Sequence, residues 1–181
     1  MKTDFIDKDL WGAILCCLTP SNALVCELAL QTGWRIDDCL ALRSSALEEA
    51  REKEKTSITI IEQKTRKKST KRISKKLFDK LCAEMGEYYV FQGRDCKLQH
   101  RSRQAVYLDL KRARKALRIK DNLAPHSMRK IYAVDLLAQS GDLDKVQKAL
   151  NHSHESDTLI YALADTYTQL KRRNAHGKSK K

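Results

Sequence analysis

Apolar residues recur with a helical period along most of this chain, and the places where the period changes divide it into elements. Residues from about Asp9 to Gln31 read as two helices broken at Thr19-Pro20-Ser21, where proline cannot continue a helix and serine or threonine can cap the next. The second, with Leu24, Val25, Leu28 and Ala29, is apolar enough to be core and stops at Thr32-Gly33. From Leu40 to Ser74 the pattern shortens. ALRSSALEE and SITIIEQ read as short strands and KRIS as a third, with KTRKKST as a loop. These lengths fit only a small three-stranded antiparallel sheet. Helical character returns from Lys75 to about Glu87, followed by the short apolar segment EYYVFQG. RSRQAVYLDLKRARKALRIK reads as an amphipathic helix that offers Ala105, Leu108, Ala113, Ala116 and Leu117 for burial beneath a dense basic face. Three consecutive helices then fill Pro125 to Tyr167. Gly141 stops the first, Asp142 caps the second, Leu150-Asn151 ends it, and the third begins near Ser156. The expected class is α+β and mostly helical. Residues 1–170 are read as one domain, and residues 171–181 as a basic, disordered tail.

Charge narrows the choice of partner. The 181 residues carry 36 Lys and Arg against 23 Asp and Glu, a formal net charge of +13, and an excess of that size points to a polyanion such as nucleic acid. Between Arg51 and Lys80 there are 12 basic and 4 acidic residues, so the expected hairpin is the most basic part of the chain. No apolar run approaches the roughly 20 residues that span a bilayer. The opening MKTDFIDKDLW has acids where a leader would be basic and then apolar, so the expected location is the cytoplasm. Cys16 and Cys17 are adjacent, while Cys26, Cys39, Cys82 and Cys96 are scattered without a C-x-x-C pair. Buried reduced thiols are expected rather than disulfides or a metal site. His152-Ser153-His154 has no Cys or acidic cluster at ligand spacing.

Several polar residues have no reason in core packing. His126 and Arg129 lie three apart at a helix start and so share a face. His152 follows the stop of the next helix, and Tyr161 lies nine residues further on. A helix-turn-helix packing brings these four groups to one small anionic target. Arg35, between Trp34 and Ile36 behind the Gly33 stop, reads either as an arginine held at a packed corner or as a partner of Asp37 or Asp38. Taken singly, Tyr161 among Ile160, Leu163 and Ala164 reads as a core tyrosine, as Tyr132 and Tyr167 do.

Over roughly Asp9 to Thr168 the chain resembles the catalytic domain of the tyrosine recombinase (phage integrase) family, with the motifs in the family's order. TGWRIDDCLALR is similar to the first arginine box and EQKT to the hairpin lysine motif. HSMRK is similar to the H-x-L-R-H box, ALNHS to the L-G-H box, and IYALAD to the segment carrying the nucleophile. There are three departures. Met128 replaces leucine at similar volume, Lys130 stands for a second histidine, and Asn151 replaces the glycine before His152, where asparagine also suits a left-handed helix stop.

The resemblance implies a catalytic set of Arg35, Lys64, His126, Arg129, His152 and Tyr161, with Lys67 the second candidate for the lysine. Tyr161 would attack a DNA phosphodiester and hold it as a 3′-phosphotyrosine. The two arginines would grip the non-bridging oxygens, and Lys64 would protonate the departing 5′ oxygen. His126 would assist proton transfer at the tyrosine, and His152 would donate a hydrogen bond to the phosphate. Bond energy is conserved in the intermediate, so no metal or other cofactor is implied. Arg66, Lys67, Lys68, Lys71, Arg101, Arg103, Lys111 and Arg112 are the expected DNA contacts. The implied partner is double-stranded DNA, bound by a homo-tetramer, and the implied setting is a mobile element or prophage. The chain is expected to be either a catalytic fragment lacking an N-terminal DNA-binding domain or a short single-domain recombinase of the fimbrial-switch kind. A non-catalytic DNA-binding regulator with the same fold is the alternative from another class, and topoisomerase-like relaxation is a second enzyme reading.

Overall fold

The computed structural model describes residues 8–150, with side chains from Leu10 onward. Its centre is the helix the apolar pattern marked as core. α1 (Lys8–Cys16) leads to α2 (Pro20–Thr32), in which Leu24, Val25, Cys26, Leu28 and Ala29 are all buried. A helix apolar on nearly every side must be covered on every side. α1, α3 (Ile36–Leu40), α5 (Lys75–Glu84), α6 (Arg103–Ala116) and α7 (His126–Ser140) all pack against it. Pro20 occupies the first turn of α2, as expected, but Thr19 is not a side-chain cap. Its amide and hydroxyl instead donate to Asp109 of α6, each at 2.9 Å, and Asn22 donates to the same carboxylate oxygen at 2.7 Å. Burial alone would raise the Asp109 pKa, but these bonds and Arg112 hold it below the usual carboxylate range.

Three expectations for the helices and sheet change in the folded chain. ALRSSALEE is not a strand. α4 (Ser44–Glu52) begins there because Leu47 and Ala50, three apart, bury one face while Glu48 and Glu49 stay in water. The sheet therefore has two strands, β1 (Ser57–Ile61) and β2 (Lys68–Arg72), paired antiparallel with Ile58 opposite Lys71 and Ile60 opposite Ser69. On α6 the buried stripe is Val106, Asp109, Leu110 and Ala113, whereas Leu108 and Ala116 are exposed.

α8 (Leu143–Ala149) is capped by Asp142, whose carboxylate accepts from the amides of Asp144 and Lys145 at 2.9 and 3.2 Å. The helix expected near Ser156 lies outside the described residues. Cys26 and Cys39 are buried free thiols, as expected, but Cys16 and Cys17 at the end of α1 are exposed. No helix among the described residues is long and apolar enough to cross a membrane.

Two glycines end helices in the left-handed region, Gly33 after α2 at φ 70° and Gly141 after α7 at φ 66°. Their surroundings differ. A Cβ on Gly33 would lie 2.3–2.8 Å from the Tyr132 ring, whereas one on Gly141 meets nothing within 4 Å. Gly141→Ala should therefore cost only backbone strain, about 1–2 kcal/mol. Gly33→Ala should cost about 2–4 kcal/mol, because strain and overpacking add. Urea unfolding of the two variants checks the difference, and equal losses would remove the packing role assigned to Gly33.

Candidate active site

The corner after α2 positions the first candidate. Thr32 donates its hydroxyl to the Leu28 carbonyl at 2.7 Å and accepts from the Trp34 amide at 3.2 Å, so the chain turns sharply at Gly33. Trp34 is buried, with its indole nitrogen donating to the Ser69 hydroxyl at 2.8 Å across on β2. Arg35, at the start of α3, is 8% exposed, and its Nη1 meets Glu62 Oε2 at 3.0 Å. The packed-corner reading holds. The carboxylate bonded to that guanidinium nitrogen is Glu62, at the end of β1, rather than Asp37 or Asp38.

Glu62 and Asp38 organise the turn that carries Lys64. Thr65 donates to Glu62 Oε2 at 3.0 Å, while the Glu62 backbone bonds to Lys67 and Arg66 and closes the turn, with Arg66 left-handed at φ 56°. The Gln63 amide donates to Asp38 Oδ1 at 2.9 Å, which fastens the turn to α3. Burial raises the Asp38 pKa despite that hydrogen bond, and the nearby Glu62 charge raises it further against the pull of Arg35 and Arg129.

The result is a cleft of about 380 Å³ lined by Arg35, Asp37, Asp38, Gln63, Lys64 and Arg103, with His126 at the start of α7. Three expected catalytic residues thus converge on one cleft, and of the two lysine candidates Lys64 lines it. Arg129 occupies a different place. It is 6% exposed, and its Nη1 and Nη2 donate to the carbonyls of Gly33 at 2.5 Å and Leu150 at 2.8 Å. His126 is exposed and Arg129 buried, so shared helical spacing did not give them a shared environment. His152 and Tyr161 lie outside the described residues.

The expected DNA contacts also divide. Arg66, Lys67, Lys68, Arg103, Lys111 and Arg112 are exposed, although Arg103 pairs with Asp37 at 3.2 Å and Arg112 pairs with Asp109. Arg101 is half-buried and donates to Asn22 at 2.8 Å. Lys71 is half-buried and turned inward, because its register with Ile58 places it on the core face of the hairpin. Sequence reasoning missed Glu62 and Asp38 as parts of the site. The signal was present, since Glu62 continues the inward alternation of Ile58 and Ile60, and Asp38 stands three residues after Arg35 on a helix. A cleft that sets Arg35, held by a carboxylate, beside Lys64 and His126 offers fork and point-charge donors suited to a phosphate group.

The phage integrase family model matches residues 9–167, and the chain belongs to that family. Tyrosine recombinase XerC of Mesorhizobium japonicum is 40% identical over 61 residues, 34% of this chain and 20% of that protein. XerC of Rhizobium meliloti is 36% identical over 78 residues, 42% of this chain and 24% of that protein. The matched segments thus span about a fifth to a quarter of those relatives. Among solved structures, the XerA recombinase superposes with a TM-score of 0.70 at 18% identity, covering 93% of this chain and 65% of that one. A lambda integrase dimer bound to a COC′ core site gives 0.71 at 20% identity, covering 90% and 59%. The fold is that of a tyrosine recombinase catalytic domain.

The raised Asp38 pKa sets a testable sign. The folded chain binds this proton more tightly than the unfolded one. Stability from the group is therefore full below its ordinary value of 3.8 and declines as pH rises through the raised folded value. Asp38→Asn keeps an oxygen acceptor for the Gln63 amide and removes that decline. Its melting temperature relative to the parent should increase as pH is raised from about 3.5 to about 7. A difference that stays flat or shrinks over this range would contradict the assignment.

Proposed function

We propose that this chain cleaves and rejoins DNA strands site-specifically through a 3′-phosphotyrosine on Tyr161. The observation that carries the reading is the convergence of Arg35, Lys64 and His126 on one cleft in a recombinase catalytic fold, with Arg35 held by Glu62. Lambda integrase and the XerA recombinase share that fold, and the former is solved as a dimer on its core-site DNA.

In the proposed reaction the scissile phosphate enters the cleft with its non-bridging oxygens toward Arg35. The family resemblance adds Arg129 as the second grip, although its Nη1 and Nη2 hold the Gly33 and Leu150 carbonyls in this structure. The Tyr161 hydroxyl loses its proton with the help of His126, and the oxygen attacks phosphorus. A tyrosine of unperturbed pKa about 10 needs that help near neutrality. As the new P–O bond forms, the bond to the 5′ oxygen breaks, and that oxygen takes a proton from Lys64. His152 donates a hydrogen bond to the phosphate. A 5′ hydroxyl from a partner strand then reverses the step and returns Tyr161 to its free state. Arg66, Lys67, Lys68, Lys111 and Arg112 contact the DNA backbone in this reading. A tetramer on DNA and a mobile element or prophage as the genetic setting belong to the same proposal.

Covalent trapping on a nicked suicide duplex built from the ends of the element that carries the gene tests this. The parent should form a protein–DNA band stable to denaturant, and Tyr161→Phe should form none. Arg35→Ala should slow trapping by about 10²–10³-fold, the usual loss when one transition-state donor is removed. A band that persists in Tyr161→Phe would transfer the role to another tyrosine, Tyr167 first. Firm binding to the cognate site without any band would favour a non-catalytic regulator.

A further inference from the structure

Lys71 is an expected DNA contact whose charge is turned into the protein. Its Nζ donates to the Ala149 carbonyl at 2.8 Å and to the Tyr132 hydroxyl at 3.3 Å, and it lies 5.3 Å from the centre of the Tyr132 ring. Ala149 is the last residue of α8, so its carbonyl is one that the helix itself leaves without a partner. The next carbonyl, that of Leu150, accepts from Arg129 at 2.8 Å. Two cations from β2 and α7 therefore hold consecutive carbonyls at the negative end of one helix dipole. Burial and the charge of Arg129 both lower the Lys71 pKa, against a smaller opposing effect of Glu62. The Lys71 Nζ is held in this partly desolvated position by its two hydrogen bonds.

α8 needs that hold. It has seven residues, and Val146 is its buried one. Helices shorter than about 12 residues do not persist without tertiary contacts. The reference point for both cations is Gly33. Arg129 donates to its carbonyl, and the Tyr132 ring that Lys71 touches packs against its Cα. Gly33 also opens the corner that sets Arg35. One junction thus registers the end of α8, immediately before Asn151-His152, against the arginine corner.

We infer that Lys71 is a positioning residue, which anchors the C-terminal end of α8 and thereby sets where the chain delivers His152 to the cleft. The role given to His152 rests on the proposed function. The anchoring does not.

The test uses the full chain and two readouts. Amide hydrogen exchange without DNA is followed in a peptide covering residues 143–152 and in α6 as control. Lys71→Met removes the charge and donors at similar length, Lys71→Arg restores both, and Tyr132→Phe removes only the hydroxyl. Exchange over 143–152 should rise about tenfold in Lys71→Met, recover in Lys71→Arg, and rise only about twofold in Tyr132→Phe, with α6 unchanged. On cognate DNA, single-turnover trapping by Lys71→Met should fall about tenfold at unchanged DNA affinity, within the loss of up to about 10²-fold that misplacing a catalytic group can cause.

Parental exchange over 143–152 in Lys71→Met would overturn the inference. So would a uniform rise that includes α6, which marks general loss of stability, or a trapping defect explained wholly by weaker DNA binding. If the parent forms no covalent complex, the proposed function fails, and the exchange readout still decides whether Lys71 anchors α8.

Discussion

The guanidinium of Arg129 is the constraint on which the described structure depends. It is almost wholly buried, and a charge in that position persists only if its donors are met. Two of them are met by carbonyls at the ends of helices, Gly33 after α2 and Leu150 after α8, where backbone dipoles already concentrate negative charge. One side chain on α7 thereby fixes the ends of two other helices. Tyr132 lies three residues on, and its ring occupies the space that a side chain on Gly33 would need. The left-handed turn at Gly33 and the close approach of α7 to α2 are thus one requirement seen from two sides.

The hairpin depends on the same corner. Two strands alone are at best marginal in water, so β1 and β2 must be held by what they touch. Trp34 reaches Ser69, Arg35 reaches Glu62, and Asp38 reaches the amide of Gln63, which ties both strands and their turn to residues 34–38. The turn between the strands carries Lys64, and the alternation of β2 turns Lys71 inward while Lys68 and Arg72 stay exposed. The cleft is therefore a product of how the hairpin is attached rather than of the hairpin itself.

Much of this was legible from spacing. The core helix, its proline start and glycine stop, and the Asp142 cap follow from local rules, because the atoms that satisfy them lie within a few residues. The candidate boxes were legible only through their resemblance to a family's motifs. The misread segments show where such rules stop. In ALRSSALEE alternation and helical spacing compete, and the contacts of Leu47 and Ala50 decided for a helix. On α6 the sequence shows several small apolar residues, but burial fell on the face bearing Asp109, since that carboxylate accepts from Thr19 and Asn22 at the start of α2, 90 and 87 residues away. Lys71 read as one more surface cation because nothing near it in sequence names Ala149 as its acceptor.

By itself the sequence determined the helical periods and the basic charge, and through the family resemblance it nominated Arg35, Lys64, His126, Arg129, His152 and Tyr161 as candidates. Side-chain chemistry and local backbone preference are enough for the periods and the charge. Only the tertiary structure decided that Glu62 holds Arg35, that Asp38 holds the Lys64 turn, and that Arg129 and Lys71 face inward to grip helix ends. Each of those contacts joins residues 21 to 96 positions apart, and which buried charge meets which acceptor is settled only when the chain packs.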